Sequence, residues 1–309
     1  MAFNHIPVLF DKTINALNIK SDGIYIDCTA GGGGHSAAIA ARLTTGRLIA
    51  VDRDPQAIEV LTGRFGKSEN ISIVHDNFFN IKSITESLGI GLADGILADL
   101  GVSSHQLDDA SRGFSYRKDA PLDMRMSLEG TSAADVVNSL GENELSKILF
   151  DYGEEKFARR IAGAITEARK NGPITTTLQL ADIVSGAYPA AARRDGHPAR
   201  KTFQALRIYV NSELSGLTEA VNDMFDCLKP GGRLCIISFH SLEDRAVKQA
   251  LTPLTKGCTC PKSFPVCVCG NKPKAKLFKP VTPDEDELSK NPRSRSAKLR
   301  TAEKLICNN

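Results

Sequence analysis

The first hundred residues alternate short apolar strands with helical segments, and this rhythm constrains the fold more than any other feature. Gly23-Ile24-Tyr25-Ile26-Asp27, Arg47-Leu48-Ile49-Ala50-Val51-Asp52, Ile71-Ser72-Ile73-Val74-His75 and Gly95-Ile96-Leu97-Ala98-Asp99 each carry a nearly continuous apolar run. Strands apolar on both faces belong to a parallel sheet covered by helices on either side. Helices are expected over residues 36–43, 55–64 and 81–88, with Pro55 seated in a first turn. From Gly101 to about Arg200 the strands stop. Helical periodicity runs through 131–169 and again through 177–188, with Leu145, Ile148, Leu149, Phe157, Ile161 and Ile165 on repeating faces. One long helix over 202–228 is followed by the turn Lys229-Pro230-Gly231-Gly232 and a fifth apolar strand, 233–239. A helix over 242–251, a Pro- and Lys-rich loop over 252–296 and a last edge strand over 299–306 complete the reading. The pattern predicts an α/β domain in two pieces, 1–105 and 201–309, interrupted by a helical domain, 106–200.

Composition excludes several classes. With 41% hydrophobic and 24% charged residues among 309, the chain is globular rather than disordered. No run approaches the ~18 apolar residues of a membrane span, so no membrane partner is expected. The first 20 residues lack the long apolar run of an export signal, and the eight cysteines are too few for a disulfide scaffold. A cytoplasmic protein with reduced thiols is expected. The net charge of +3 conceals an asymmetry. Residues 245–309 hold 14 Lys+Arg against 5 Asp+Glu, while the remainder is acidic. A basic tail on an acidic body suits a polyanionic partner such as nucleic acid, and equally a merely solvated tail.

The strand ends carry the chemistry. Asp27-Cys28-Thr29-Ala30-Gly31-Gly32-Gly33-Gly34-His35 leaves the first strand and opens a helix. Glycines there permit positive φ and close approach of a ligand to the backbone. Asp52 ends the second strand, 25 residues after Asp27, where an acid accepts hydrogen bonds from ribose hydroxyls. Asp76 and Phe78 end the third, where an aromatic stacks on an adenine, and Asp99 ends the fourth. There is no G-x-x-x-x-G-K-[ST] run, which excludes a P-loop nucleotidase. The glycine run departs from the spaced G-x-G-x-x-G of nicotinamide enzymes. An acid before the glycines suits a ligand ammonium better than a pyrophosphate, favouring S-adenosylmethionine over a dinucleotide.

Longer motifs narrow the reading. His5-Ile6-Pro7-Val8-Leu9, Asp99-Leu100-Gly101-Val102-Ser103-Ser104, Arg112-Gly113-Phe114-Ser115, Pro121-Leu122-Asp123-Met124-Arg125-Met126, Thr202-Phe203-Gln204-Ala205-Leu206-Arg207-Ile208, Asn211-Ser212-Glu213-Leu214, Ile237-Ser238-Phe239-His240-Ser241-Leu242-Glu243-Asp244-Arg245 and Asn291-Pro292-Arg293-Ser294-Arg295-Ser296 occur in order along nearly the whole chain. In these motifs the chain resembles the bacterial MraW/RsmH family. The resemblance implies a Rossmann-like class I S-adenosylmethionine-dependent methyltransferase with an inserted helical substrate-recognition domain. It implies methylation of cytidine N4 in 16S ribosomal RNA, at the decoding region of the small ribosomal subunit. It also implies cofactor contacts from Gly33, Gly34, His35, Asp52, Phe78, Asp99 and Gln106. A non-catalytic ribosome- or RNA-binding protein that retains the cofactor fold is the alternative, with a nicotinamide-dependent oxidoreductase behind it. Homodimer formation is left open.

For catalysis the sequence nominates Asp99 and His240. Many amino-methyltransferases hold the amine with Asp-Pro-Pro-Tyr after the fourth strand. Here Asp99-Leu100-Gly101-Val102 retains the acid and lacks both prolines and the aromatic. Base stacking must come from elsewhere, with Phe114, Tyr116 and Phe239 as candidates. His240 follows the fifth strand and is either a proton acceptor or a helix cap. Asp123 and Arg125 are expected to pair. Lys201, Arg207, Arg293, Arg295, Lys298 and Arg300 are candidates for phosphate contacts. Cys258, Cys260, Cys267 and Cys269 form C-x-C-x6-C-x-C, which is either a tetrahedral zinc site or a loop of free thiols. Cys28, Cys227, Cys235 and Cys307 read as small buried apolar residues.

Overall fold

The computed structural model describes residues 7–189, 196–258, 260–261, 264–266 and 268–306. The chain forms two compact units, Met1–Gly101 with Gly216–Asn309, and Val102–Ser215.

The first unit begins with α1 (Phe10–Leu17), β1 (Ile24–Asp27), α2 (Gly34–Ala40), β2 (Arg47–Asp52), α3 (Pro55–Phe65), β3 (Ile71–His75), α4 (Ile81–Ser87) and β4 (Ala93–Asp99). The second unit supplies α5 (Ser104–Asp108), α6 (Ala133–Ser139), α7 (Glu142–Gly153), α8 (Ala158–Ala168), α9 (Thr177–Ala187) and α10 (Ala199–Asn211). The chain then returns with α11 (Leu217–Asp226), β5 (Leu228–Ser238), α12 (Ser241–Leu254), β6 (Ala275–Leu277), α13 (Glu285–Lys290) and β7 (Lys298–Lys304). The seven strands form one sheet in the order β3-β2-β1-β4-β5-β7-β6. β1 to β5 run parallel, and β7 is antiparallel to both β5 and β6. This is the Rossmann-like arrangement of class I methyltransferases.

The apolar strands become the sheet centre because burying each Leu or Ile contributes about 1.5–3 kcal/mol. Ile26, Leu48, Ile49, Ile96 and Leu97 are fully buried. The parallel register matters for function. Asp27 pairs with Ala50 and Leu97, Asp52 with His75, and Asp99 with Ile237, so the strand-end acids share the carboxyl edge. Among the described residues, no helix is long and apolar enough to cross a membrane.

The helical unit has its own core, including Leu122, Met124, Val136, Leu145, Leu149, Ile161, Leu180, Val184, Phe203 and Leu206. Its boundaries fall at Val102 and Ser215, not at 106 and 200. The reason is α10. Its buried Phe203, Ala205 and Leu206 belong to the helical core, and the chain breaks after it at Ser212, which takes a left-handed conformation. The single helix expected over 202–228 is therefore two, α10 and α11. The C-terminal region also differs from expectation. The 252–296 segment contains β6 and α13. The last strand is β7, held between β5 and β6 rather than at the edge.

Gly113 shows how tightly the helical unit is wound. Its φ is +72°, and a Cβ there would meet the carbonyl oxygen of Pro121 at 2.3 Å and the Asp123 nitrogen at 2.6 Å. Both obstacles are backbone, which yields little. Gly113→Ala is expected to destabilise the protein by more than about 2 kcal/mol. Urea denaturation checks this, and a midpoint close to wild type would contradict it.

Candidate active site

Asp27 is 1% exposed. Its Oδ2 accepts from the Ser36 hydroxyl at 2.6 Å and its Oδ1 from the Thr29 amide at 3.3 Å. Burial pushes its carboxyl up to about 6, with the Asp52 charge adding to the effect. Asp52 accepts from the Gly31 amide at 2.7 Å and the Asp54 amide at 2.8 Å, one on each oxygen. These bonds favour its charged form, yet burial outweighs them and raises it too. Asp99 is raised well above the usual carboxylate range, by burial first and then by the charges of Asp27 and Glu243. Its Oδ1 is enclosed without a hydrogen-bond partner, and its Oδ2 lies 3.9 Å from His35 Nδ1. Among the described residues, no Lys or Arg pairs with any of these three acids.

The glycine run fastens the site. Gly33 caps α2 in the left-handed region at φ +77°, and a Cβ there would meet the Phe65 ring at 2.7 Å. The Arg64 guanidinium donates to the Gly32 carbonyl, and the Asp99 amide donates to Thr29 Oγ1 at 2.6 Å. The loop is thus tied to the ends of β2 and β4. His35 is buried beside Phe10, with ring centroids 5.7 Å apart. Phe78 is partly buried in a one-turn 3-10 helix after β3, edge-on to Phe79. Asp76 shapes that turn, accepting from the Asn77 amide and from Asn80 Nδ2.

One sequence model, that of the MraW methylase family, matches residues 2–305. The chain belongs to that family. It is 55% identical to the ribosomal RNA small subunit methyltransferase H of Clostridium botulinum (strain Kyoto / Type A2), covering 99% of this chain and 100% of the relative. It is 54% identical to the protein of the same name from Ruminiclostridium cellulolyticum, covering 99% and 100%. The Brevibacillus brevis protein of that name is 52% identical, covering 99% of each chain.

Within this family member the other nominated residues have varied fates. Gly33, Gly34, His35, Asp52, Phe78 and Asp99 all belong to the sheet unit. Gln106 belongs to the helical unit, where it closes a capping box with Ser103 at the start of α5. His240 is the N-cap of α12. Its Nδ1 accepts from the Glu243 amide at 3.4 Å, and its Nε2 lies 3.1 Å from Glu243 Oε1. His240 thus takes the capping alternative that the sequence offered. Glu243, 1% exposed, is the acid that sequence reading passed over. The signal was available as the His-x-x-Glu spacing ahead of an apolar helix.

Several phosphate candidates have protein partners instead. Lys298 and Arg300 both hold Asp244, and Arg207 holds Glu213. Lys201 donates to the Glu154 carbonyl. The Asp123–Arg125 pair closes its own loop, with Arg125 reaching the Gly130 carbonyl. Of the stacking candidates, Phe114 is buried, and Tyr116 stacks on His197 at 4.5 Å. Phe239 is partly buried among the apolar residues of the sheet unit.

The basic surface lies elsewhere. A groove of about 630 Å³ between α7 and the start of α8 is lined by Lys147, Lys156, Arg159, Arg160 and the 64%-exposed Phe150. None of these four cations has an ion-pair partner among the described residues. Glu155, the acid of the lining, is turned inward, accepting from the Tyr188 hydroxyl and the Phe157 amide. Cys28, Cys227 and Cys235 are buried, as expected. Cys267 and Cys307, like His5 and Ile6, lie outside the described residues.

The Asp27 carboxyl binds its proton more tightly folded, at about 6, than unfolded, near 3.8. Its ionisation therefore costs stability progressively as pH rises from about 4 to 6, and in full above that. Asp27→Asn is expected to gain about 1–3 kcal/mol of stability relative to wild type on moving from pH 4.5 to pH 7.5. Urea melts of the ligand-free protein at both pH values test this. An equal effect at the two pH values would contradict it.

Proposed function

We propose that this chain is an S-adenosylmethionine-dependent methyltransferase of small-subunit ribosomal RNA, acting on N4 of a cytidine in the decoding region. The observation that carries the cofactor is the cluster of Asp27, Asp52 and Asp99 at the sheet edge with, among the described residues, no Lys or Arg paired with it. Acids held in this way favour a cationic ligand. S-adenosylmethionine presents a sulfonium and an ammonium, whereas the pyrophosphate of a nicotinamide cofactor would add negative charge. The residues fit the group. The Asp52 oxygens accept backbone N–H groups from Gly31, Asp54 and Arg53, and a carboxylate with about four lone-pair sites keeps capacity for a ribose hydroxyl. Near the Cβ position of Gly31 lies only the Thr29 carbonyl oxygen, at 3.9 Å, and Phe78 offers a ring for the adenine.

When bound, the cofactor supplies a methyl group on positively charged sulfur. The work of this chain is to orient and to accept. An exocyclic amine has its lone pair delocalised into the base ring. An N–H donating to the Asp99 carboxylate would turn that lone pair out of conjugation and hold it in line. The raised proton affinity of Asp99 suits it to take the proton that the amine sheds. Cationic charge nearby also favours its ionised form, so the carboxylate is prepared as the ligand enters.

The RNA reading draws on the names of the 52–55% identical relatives and on the groove of the helical unit. Unpaired Lys and Arg beside an exposed phenylalanine combine phosphate contacts with a stacking surface. Cytidine N4 and the decoding region rest on the motif resemblance.

The test uses purified protein, labelled S-adenosylmethionine, and small subunits or naked ribosomal RNA from an unmodified strain. Nucleoside mass spectrometry is expected to find N4-methylcytidine in the subunit reaction. Its absence despite tight cofactor binding would overturn the reading. Asp52→Ala is expected to weaken cofactor binding about 10-fold or more, through lost hydrogen bonds of about 1–3 kcal/mol. Lys147→Glu/Arg160→Glu is expected to lower subunit methylation at least 10-fold and leave cofactor affinity within about 2-fold. A double variant as active as wild type would remove the groove from RNA binding.

A further inference from the structure

Between the end of α12 and β6 lie some twenty residues, and the described ones among them form no regular secondary structure. It has little apolar surface to bury. Val266 and Val268 are 70% and 74% exposed, and Phe264 is 49% exposed. A loop of this length without a core requires some other fastening. Its base is closed by the Lys274 amide on the Leu254 carbonyl and by Asn271 Nδ2 on the Gly257 carbonyl.

Its upper part gathers sulfur. The Sγ atoms of Cys258, Cys260 and Cys269 all lie within 4.8 Å of one another. Cys258 and Cys269 are 3.7 Å apart. A disulfide would need about 2.05 Å. Ligands about 2.3 Å from a tetrahedral zinc stand about 3.8 Å from each other, so the observed separation is that of two corners of a zinc tetrahedron. The Val268 amide donates to Cys260 Sγ at 3.4 Å, a contact that strengthens when the sulfur is a thiolate. Lys256 and Lys272 flank the cysteines in sequence and offset the negative charge that thiolates bring.

We infer that Cys258, Cys260 and Cys269 supply three of the four ligands of a structural zinc ion that closes this loop on itself. Each thiol releases its proton as the metal binds, and the metal–sulfur bonds replace the missing apolar core. The site is separate in sequence from the strand-end acids, and its role is to shape the loop.

The full-length protein, purified under reductant and stripped of metal with a chelator, is titrated first with Co²⁺ and then with Zn²⁺. The expected result is strong near-ultraviolet thiolate-to-cobalt absorption with the intense visible bands of tetrahedral cobalt, saturating at about one equivalent and lost on adding Zn²⁺. As isolated, the protein is expected to carry about one zinc per chain, released by a thiol-modifying mercurial. Cys258→Ser and Cys269→Ser are each expected to abolish the charge-transfer bands. A weak octahedral spectrum, bands that persist in both variants, or a thiol count revealing a disulfide would each overturn the site. The wild-type titration decides the question even if a variant fails to fold.

Discussion

The structure turns on one electrostatic constraint: the parallel sheet brings three carboxyl groups to one edge, and among the described residues no Lys or Arg pairs with them. Asp27, Asp52 and Asp99 all hold their protons more tightly than a solvated carboxyl does. Such an arrangement costs stability in the protein alone. It is tolerated where a ligand of opposite charge recovers the energy. The surrounding detail serves to hold the acids in place. Ser36 and Thr29 fix Asp27, the amides of Gly31 and Asp54 fix Asp52, and Thr29 ties the end of β4 to the glycine loop.

The two units divide the labour in a way that follows from their surfaces. The sheet unit concentrates negative charge at its carboxyl edge, where open α/β sheets bind ligands. The helical unit carries the complementary feature for a polyanion, a groove with four unpaired cations and an exposed ring. The two units thus present opposite charge on one chain. The basic tail read from the sequence contributes less than its charge suggests. Lys298 and Arg300 are both held by Asp244.

What was legible in the sequence was what local physics dictates. Strands β1 to β5 declared themselves through apolar runs too short for helices, and the acids at their ends followed from chain direction. Pro55 marked the start of α3, where Asp54 caps the first turn. β6 escaped because Ala-Lys-Leu is too short to show a period, and it exists only through pairing with β7. The break between α10 and α11 was hidden because Ser212 adopts its left-handed conformation without a glycine signal. At His240, residue type alone left chemistry and capping equally open, and the contacts with Glu243 show the cap. The groove was invisible because its cations come from two helices. Lys147 and Phe150 lie three residues apart on α7, while Arg159 and Arg160 open α8.

The central claim is that the buried acids wait for a cation. Calorimetric titration with S-adenosylmethionine near pH 6, in two buffers of different ionisation enthalpy, measures the protons exchanged on binding. A cationic ligand must drive raised carboxyls to ionise, so the account predicts net proton release, with affinity rising as pH increases from about 5 to 7. Binding with no proton exchange, or with net uptake, would contradict it.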